Sequence, residues 1–127
     1  SNRTVTCVAV RNSSTGALLP GQVVKMKAAA ILTETDGVGD NTAGLILGVV
    51  DEYLPSAGCP VGDIFWLVVR GPTTVLKTPA AISQGAAVGP STTAGSAVAG
   101  SGLGHAIDAA ALNSTSVRVN LTTGNAW

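Results

Sequence analysis

The chain has 127 residues, of which 46% are hydrophobic, 3% aromatic and 11% charged. This length suffices for one domain with its own core and is too short for two. Seven basic and seven acidic residues cancel, whereas proteins that bind nucleic acid cluster Lys and Arg against the phosphates. The longest apolar run, at residues 64–69, is far shorter than the roughly 20 residues of a membrane-spanning helix. We therefore expect one domain that binds neither nucleic acid nor a membrane.

Short runs of β-branched residues, bounded by Gly, Pro, Asn and Ser, predict strands along the first half of the chain. The first predicted strand covers residues 4–10. A Pro20-Gly21 turn precedes the second, because proline presets one turn dihedral and glycine accepts the positive one. Residues 45–50 predict a strand buried on both faces, with a short helix as the alternative.

The second half begins with the strongest strand signal, at residues 64–69, which holds most of the aromatic bulk of the chain. We expect this strand to be central, at least one residue of its Phe-Trp pair to be in the core, and Gly71-Pro72 to end it. Residues 73–77 then form a separate strand, and the alternation of residues 117–121 predicts the last. Two Ala-rich segments, residues 26–32 and 106–112, could be short helices, although the helix preference of alanine is small.

An internal repeat relates the two halves of the sequence. The matching segments are residues 19–24 with 83–88, Leu47-Gly48 with Leu103-Gly104, and residues 64–69 with 117–121. The repeat predicts that residues 11–127 form a single β domain of two related units. Residues 1–10 precede it as an N-terminal arm or edge strand.

Catalytic motifs are missing from the sequence. The single histidine, His105, lies close to Asp108, but no Gly-x-Ser-x-Gly elbow supplies a nucleophile. The loop around Asp36 lacks the regular ligand spacing of a calcium loop. The adjacent Asp51 and Glu52 would point to opposite faces of a strand, which disfavours a catalytic carboxylate pair. Cys7 and Cys59 show no metal-binding or redox spacing, and we interpret them as two buried or half-buried thiols, with a disulfide as the alternative. The sequence therefore predicts a protein that is not an enzyme and binds no cofactor or metal.

The order of short motifs between residues 18 and 121 resembles that of the capsid cement, or head decoration, proteins of tailed bacteriophages. The motifs are Pro-Gly-Gln-Val-Val at 20–24, Leu-Gly-Val-Val at 47–50, Val-Gly-Asp-Ile at 61–64, Ile-Ser-Gln-Gly-Ala-Ala-Val at 82–88, Leu-Gly at 103–104 and Val-Arg-Val-Asn-Leu at 117–121. The resemblance implies an all-β fold with little helix, a small β-barrel, β-tulip or sandwich, assembled as a homotrimer. It also implies a place on the outer surface of the virion, at three-fold and quasi-three-fold positions.

The partner implied by the resemblance is the major capsid protein, whose neighbouring subunits such a trimer clamps together. In similar proteins an extended N-terminal arm often pairs with a capsid strand, and the matching stretch here is residues 1–10. The expected contact residues are Arg3, Thr4, Val5 and Thr6 in the arm and Tyr53, Leu54 and Trp127 as partly exposed apolar anchors.

Three other functions fit parts of the same sequence. A phage tail or fibre β-domain shares the composition rich in Gly, Ser, Thr and Val, although we expect such a domain within a longer chain. A carbohydrate-binding module would present Tyr53 and Trp66 together on one flat face. A small hydrolase would need His105 beside a nucleophile in a pocket.

Overall fold

The computed structural model describes residues 4–27, 33–41 and 46–122. These residues form nine strands and no helix, which confirms the predicted all-β fold. In chain order the strands are β1 Thr6–Asn12, β2 Val23–Lys25, β3 Glu34–Thr35, β4 Ile46–Val50, β5 Ile64–Leu76, β6 Ala87–Pro90, β7 Ala97–Ala99, β8 Gly104–Ala106 and β9 Ser116–Leu121. No described helix is long and apolar enough to cross a membrane.

The strands form one nearly closed, barrel-shaped sheet in the order β2-β4-β5-β9-β8-β6-β7, with β1 paired to β5 and β3. Strand β5 is the centre of this sheet, as predicted. Its residues 64–70 pair with β1 and, at Leu67 and Val68, with β4, whereas residues 71–76 pair with β9.

The prediction that Gly71-Pro72 ends the central strand is wrong. Strand β5 continues through both residues to Leu76 and includes the separate strand expected at residues 73–77. Gly71 has a φ of +101°, which a residue with a side chain rarely adopts, and a Cβ there would lie 2.6 Å from the backbone oxygen of Thr4. Glycine therefore allows a local change of backbone direction while the hydrogen-bonded pairing continues on both sides of it.

The helix expected at residues 106–112 is also absent. Ala106 ends β8, and Ala110 forms an isolated antiparallel bridge to Ile82 with N–H to O distances of 2.8 and 2.9 Å. These long-range hydrogen bonds outweigh an alanine helix preference of a few tenths of a kcal/mol. The other expected helix, at residues 26–32, falls mostly outside the described residues.

The core has two parts, which lie on opposite faces of the first half of β5. Core one takes Val68 from this half, Val23 from β2 and Val49 from β4, and its other buried members lie between residues 75 and 121. Core two contains Phe65, Leu67 and Val69, together with side chains from β1, β2 and β4. Cys7 packs against core one and Cys59 belongs to core two, and as predicted the two are thiols rather than a disulfide.

Backbone hydrogen bonds relate the two halves of the barrel residue by residue. We call β1, β2, β4 and residues 64–69 the first repeat, and residues 71–76, β6, β8 and β9 the second repeat. In the first repeat, Gly21 N–H donates to Val50 O and Val50 N–H donates to Gln22 O. In the second repeat, Gly85 N–H donates to Ala106 O and Ala106 N–H donates to Ala86 O. The paired residues of neighbouring strands also correspond between the repeats. The pair Val24–Gly48 of the first repeat matches Val88–Gly104 of the second, Val50–Leu67 matches Ala106–Val119, and Ala9–Trp66 matches Thr74–Arg118.

Corresponding positions also hold the buried polar residues Asn12 and Lys77, which are 0% and 5% exposed. Asn12 N–H donates to Asp63 O, and Lys77 N–H donates to Thr115 O, so the two residues end equivalent strand pairs. The Asn12 amide donates to Gly16 O and Cys59 O, and the Lys77 ammonium donates to two carbonyls of the loop that follows it. Each side chain therefore satisfies carbonyl groups of a loop at the barrel end.

Gly104 provides a test of how closely the strands approach one another. A Cβ at Gly104 would overlap the backbone oxygen of Asn120, whereas a Cβ at Gly16 would meet nothing within 4 Å. We expect Gly104→Ala to lower the free energy of unfolding by about 1–3 kcal/mol, because β8 must move away from β9. Gly16→Ala is the control and is expected to change it by less than about 0.5 kcal/mol. Chemical denaturation of both variants measures the difference, and equal stabilities would show that the sheet yields at Gly104.

Candidate interaction surface

Four side chains of β1 and β5 form an exposed surface that we call the Trp66 face: Ala9, Arg11, Ile64 and Trp66. Ala9 lies opposite Trp66 and Arg11 opposite Ile64 in the antiparallel register, so the four share one side of the sheet. Trp66 is 57% exposed and Ile64 is 60% exposed. A tryptophan and an isoleucine side by side on a strand pair are a large apolar surface for a small domain.

The Trp66 face continues a stripe of side chains that is buried further along the same strands. On β5 the next residue of this side is Val68, which belongs to core one, and on β1 it is Cys7, which packs against core one. The second repeat covers Val68 and Cys7 but does not reach Trp66. Half of one sheet face is therefore covered within the chain, and the other half faces solvent.

A shallow groove of ≈ 330 Å³ borders the Trp66 face and is lined by Ala9, Arg11, Thr33, Glu34 and Ile64. The Arg11 guanidinium donates to Gly62 O at 3.0 Å. The Glu34 carboxylate accepts a 2.7 Å hydrogen bond from the Ser13 hydroxyl and lies 3.5 Å from the Lys27 ammonium. The groove thus combines apolar side chains with charged groups of both signs.

The pKa of Glu34 is lowered from its usual value of 4.5, chiefly by the hydrogen bond from Ser13, with smaller effects from Lys27 and Arg11 that desolvation partly opposes. A carboxylate whose pKa is lowered by folding stabilises the folded state at pH values above the unfolded-state pKa. This contribution disappears as the pH falls through the folded-state pKa. Glu34 therefore remains negatively charged down to a lower pH than an ordinary glutamate.

We expect Ser13→Ala to raise the pKa of Glu34 toward 4.5, because the variant removes the main hydrogen bond to the charged form. An NMR titration of the Glu34 side-chain carboxyl carbon measures this directly. Ser101→Ala, in the exposed turn between β7 and β8, is the control and should leave the titration unchanged. An unchanged pKa in Ser13→Ala would assign the shift to Lys27 and Arg11 instead.

The contact residues predicted from the sequence differ in how far they are exposed. Tyr53 is 71% exposed, whereas Leu54 is half-buried and packs against core two. Thr4 and Thr6 are exposed, and Val5 is half-buried against core one. The two remaining predicted residues, Arg3 and Trp127, lie outside the described part of the chain.

Sequence reasoning named Trp66 as a surface residue only for the carbohydrate-binding alternative, and it did not single out Ile64. Both residues lie in a continuous apolar run, where a pattern of alternation is invisible. The structure places Phe65, Leu67 and Val69 inward and leaves Trp66 outward. The expectation that at least one residue of the Phe-Trp pair is core is confirmed by Phe65, which is 4% exposed.

Glu52 joins the loop after β4 to the second repeat. Its carboxylate accepts hydrogen bonds from the Thr73 hydroxyl at 3.1 Å and from the Thr74 N–H at 2.9 Å, and it also accepts one from the Thr74 hydroxyl. The Arg118 guanidinium lies 3.8 Å from the same carboxylate. The first repeat thus supplies a charged residue that covers the outer edge of β5 in the second repeat.

We expect Glu52→Ala to lower the free energy of unfolding by about 2–3 kcal/mol, because it leaves two threonines without a charged acceptor. Asp36→Ala is the control, since Asp36 lies 3.8 Å from Lys25 at the surface. Such an exposed pair contributes less than about 1 kcal/mol. Thermal and chemical denaturation provide the comparison, and equal effects of the two substitutions would contradict a structural role for Glu52.

The groups considered for catalysis do not converge on one site. His105 is exposed in β8, and Asp108 is exposed in the following loop. No three His, Cys, Asp or Glu side chains in the described ranges are grouped so that they could hold a metal ion. Burial, with a smaller effect of Asp63, raises the pKa of the Cys59 thiol and so reduces its thiolate fraction.

Comparisons with known proteins provide no further guide to this surface. A scan against protein-family models and a search of curated proteins both found no match for the chain. The Trp66 face and the exposed Tyr53 are the features that require an explanation.

Proposed function

We propose that this chain is a capsid cement protein of a tailed bacteriophage. In this proposal a homotrimer binds the outer surface of the expanded head at three-fold and quasi-three-fold positions. It bridges neighbouring subunits of the major capsid protein by non-covalent contacts. The resemblance between residues 18 and 121 is the starting point for this assignment.

The observation that carries the proposal is the exposure of Trp66, Ile64 and Tyr53, by 57%, 60% and 71%. Only 3% of the chain is aromatic, which is four residues. Two of these four, Trp66 and Tyr53, lie on the described surface. Tryptophan, tyrosine and arginine dominate the energetics of protein interfaces, because large rigid side chains bury much area at little entropic cost. The exposed Trp66, on the same face of the sheet as Arg11, favours a protein partner.

The short motifs of the resemblance lie in the framework of the barrel. Pro20 and Gly21 form the turn before β2, and Gly62 and Asp63 form the turn before β5. The closing motif, at residues 117–121, lies within β9. The motifs thus support a shared fold, and the exposed side chains between them support binding.

Part of the expected N-terminal arm belongs to the barrel, because Thr6 begins β1 and pairs with Arg70. In our proposal the capsid contact therefore involves residues 1–5, which precede β1 in the sequence and include Arg3, Thr4 and Val5. Tyr53 and Trp127 are the proposed apolar anchors. Three copies of each contact act together in a trimer, so each can be individually weak.

The test is binding to expanded phage heads assembled from the major capsid protein of the same genome. We expect the protein to sediment with these heads and to saturate at one trimer for each three-fold and quasi-three-fold position. Light scattering behind a sizing column should give three times the chain mass of 12.5 kDa. Failure to bind heads that are expanded and free of other decoration proteins would overturn the proposal.

A substitution at Tyr53 tests which surface meets the capsid. We expect Tyr53→Ala to weaken head binding by at least about tenfold while the mass in solution stays the same, because it removes an exposed aromatic anchor. Leu19→Ala is the control, since Leu19 is 40% exposed and belongs to neither proposed contact. Equal loss of binding in both variants would show that Tyr53 is not an anchor.

A carbohydrate-binding module is the second candidate, because Tyr53 and Trp66 are both exposed. Asp51 N–H donates to Trp66 O at 3.3 Å, so the turn that carries Tyr53 starts beside Trp66. Stacking on sugar rings would need both aromatic rings on one flat surface. Binding to a glycan array that Trp66→Ala and Tyr53→Ala both abolish, without binding to heads, would favour this candidate.

A further inference from the structure

The contact between the two repeats shows how the outer edge of a repeat is covered. In the second repeat, Thr74 lies opposite Arg118, and the Thr74 N–H points away from β9 toward the outer edge of the strand. The Glu52 carboxylate of the first repeat accepts this N–H at 2.9 Å and lies 3.8 Å from Arg118. The edge of the second repeat is thus capped by a carboxylate from the loop after β4.

The first repeat has the same edge at Ala9. Ala9 lies opposite Trp66 as Thr74 lies opposite Arg118. Arg11 N–H donates to Thr33 O, away from β5, and backbone N–H groups of alternate residues point to the same side of a strand. The Ala9 N–H therefore points to the outer edge of β1. Within residues 4–27, 33–41 and 46–122, no carboxylate accepts it.

The counterpart of Glu52 in the second repeat is Asp108. Asp51 N–H donates to Trp66 O, and Ile107 N–H donates to Arg118 O, so the residues that follow, Glu52 and Asp108, occupy corresponding positions. Asp108 is exposed and, in the described part of the chain, its side chain forms no hydrogen bond or ion pair. The same loop exposes Leu112, which is 58% accessible. This loop, residues 107–112, carries one carboxylate and one large apolar side chain to solvent.

We propose that a second copy of this chain docks on the Trp66 face through its loop of residues 107–112. The Asp108 carboxylate of one copy accepts the Ala9 N–H of the next and pairs with Arg11, whose guanidinium has donors beyond the one used by Gly62. Leu112 packs against Ile64 and Trp66. The docking partner is a second copy because Asp108 of this chain has the charge complementary to Arg11. Asp108 also occupies the position that corresponds to Glu52, which makes the internal contact.

This contact joins two different surfaces, the loop of one copy and the Trp66 face of the next. A head-to-tail contact of this kind closes into a ring when the rotation between copies allows it. In a ring of three copies, first and second repeats would alternate around the axis. Neighbouring repeats would be joined in turn by the contact within one chain and by the contact between two chains. The inference rests on the homotrimer of the proposed function and names its interface, and it does not depend on capsid binding.

Charge reversal of the purified full chain tests the interface. Arg11→Asp and Asp108→Arg are each expected to raise the dissociation constant of the oligomer at least about tenfold, since each puts like charges face to face. The double variant R11D/D108R restores the opposite charges and should recover most of the wild-type mass. Asp36→Arg, with the same change in charge at an exposed carboxylate outside both surfaces, is the control. Light scattering behind a sizing column over a range of concentrations gives the mass, and circular dichroism verifies that each variant is folded.

Recovery of the oligomer by the double variant would support the interface. The interface would be overturned if both single variants kept the wild-type mass, if the double variant stayed dissociated, or if the wild-type chain were a monomer at every concentration. Head binding separates this inference from the proposed function. Oligomers that respond to charge reversal but do not bind heads would contradict the capsid proposal alone, whereas binding of heads by a chain insensitive to charge reversal would contradict the interface alone.

Discussion

The pairing of one 13-residue strand with both halves of the sheet is the constraint on which the structure depends. Strand β5 gives residues 64–70 to the first repeat and residues 71–76 to the second, and neither repeat has a complete sheet without it. The strand can do this because Gly71 has a φ of +101°, which changes the local direction of the backbone without breaking the pairing. Because β5 belongs to both, the two repeats hold a definite position relative to each other.

That shared strand also explains the exposed surface. The second repeat covers Val68 and Cys7 on one side of the first sheet, and its coverage ends before Trp66 and Ile64. Glu52 fills the corresponding edge of the second repeat from within the chain, whereas Ala9 has no such residue in the described ranges. In our proposal, a loop of a second copy covers the equivalent edge of the first repeat. The proposed interface and the proposed cement function both build on this asymmetry.

Much of the framework was predictable, because strand alternation and turn chemistry are local. Val117, Val119 and Leu121 are buried as their period-two spacing predicts, and the Pro20-Gly21 turn precedes β2. The errors arose where long-range hydrogen bonds outweigh local preference. Residues 106–112 are rich in alanine, yet Ala110 pairs with Ile82, and Gly71-Pro72 is a bend within a strand rather than its end. The interaction surface was harder to predict, because Trp66 and Ile64 lie in a continuous apolar run in which alternation is invisible. Two of the residues named for the surface, Arg3 and Trp127, lie outside the described chain.

The sequence by itself determined the all-β class and the inward residues of the last strand. These follow from side-chain type and spacing, which act over a few residues. Only the tertiary structure decided that Phe65 is buried and its neighbour Trp66 is exposed. Alternation separates the two faces of a strand, but which parts of a face are covered depends on segments distant in the chain. For Trp66, that segment is the second repeat, which covers Val68 two residues further along β5 and does not extend to the tryptophan.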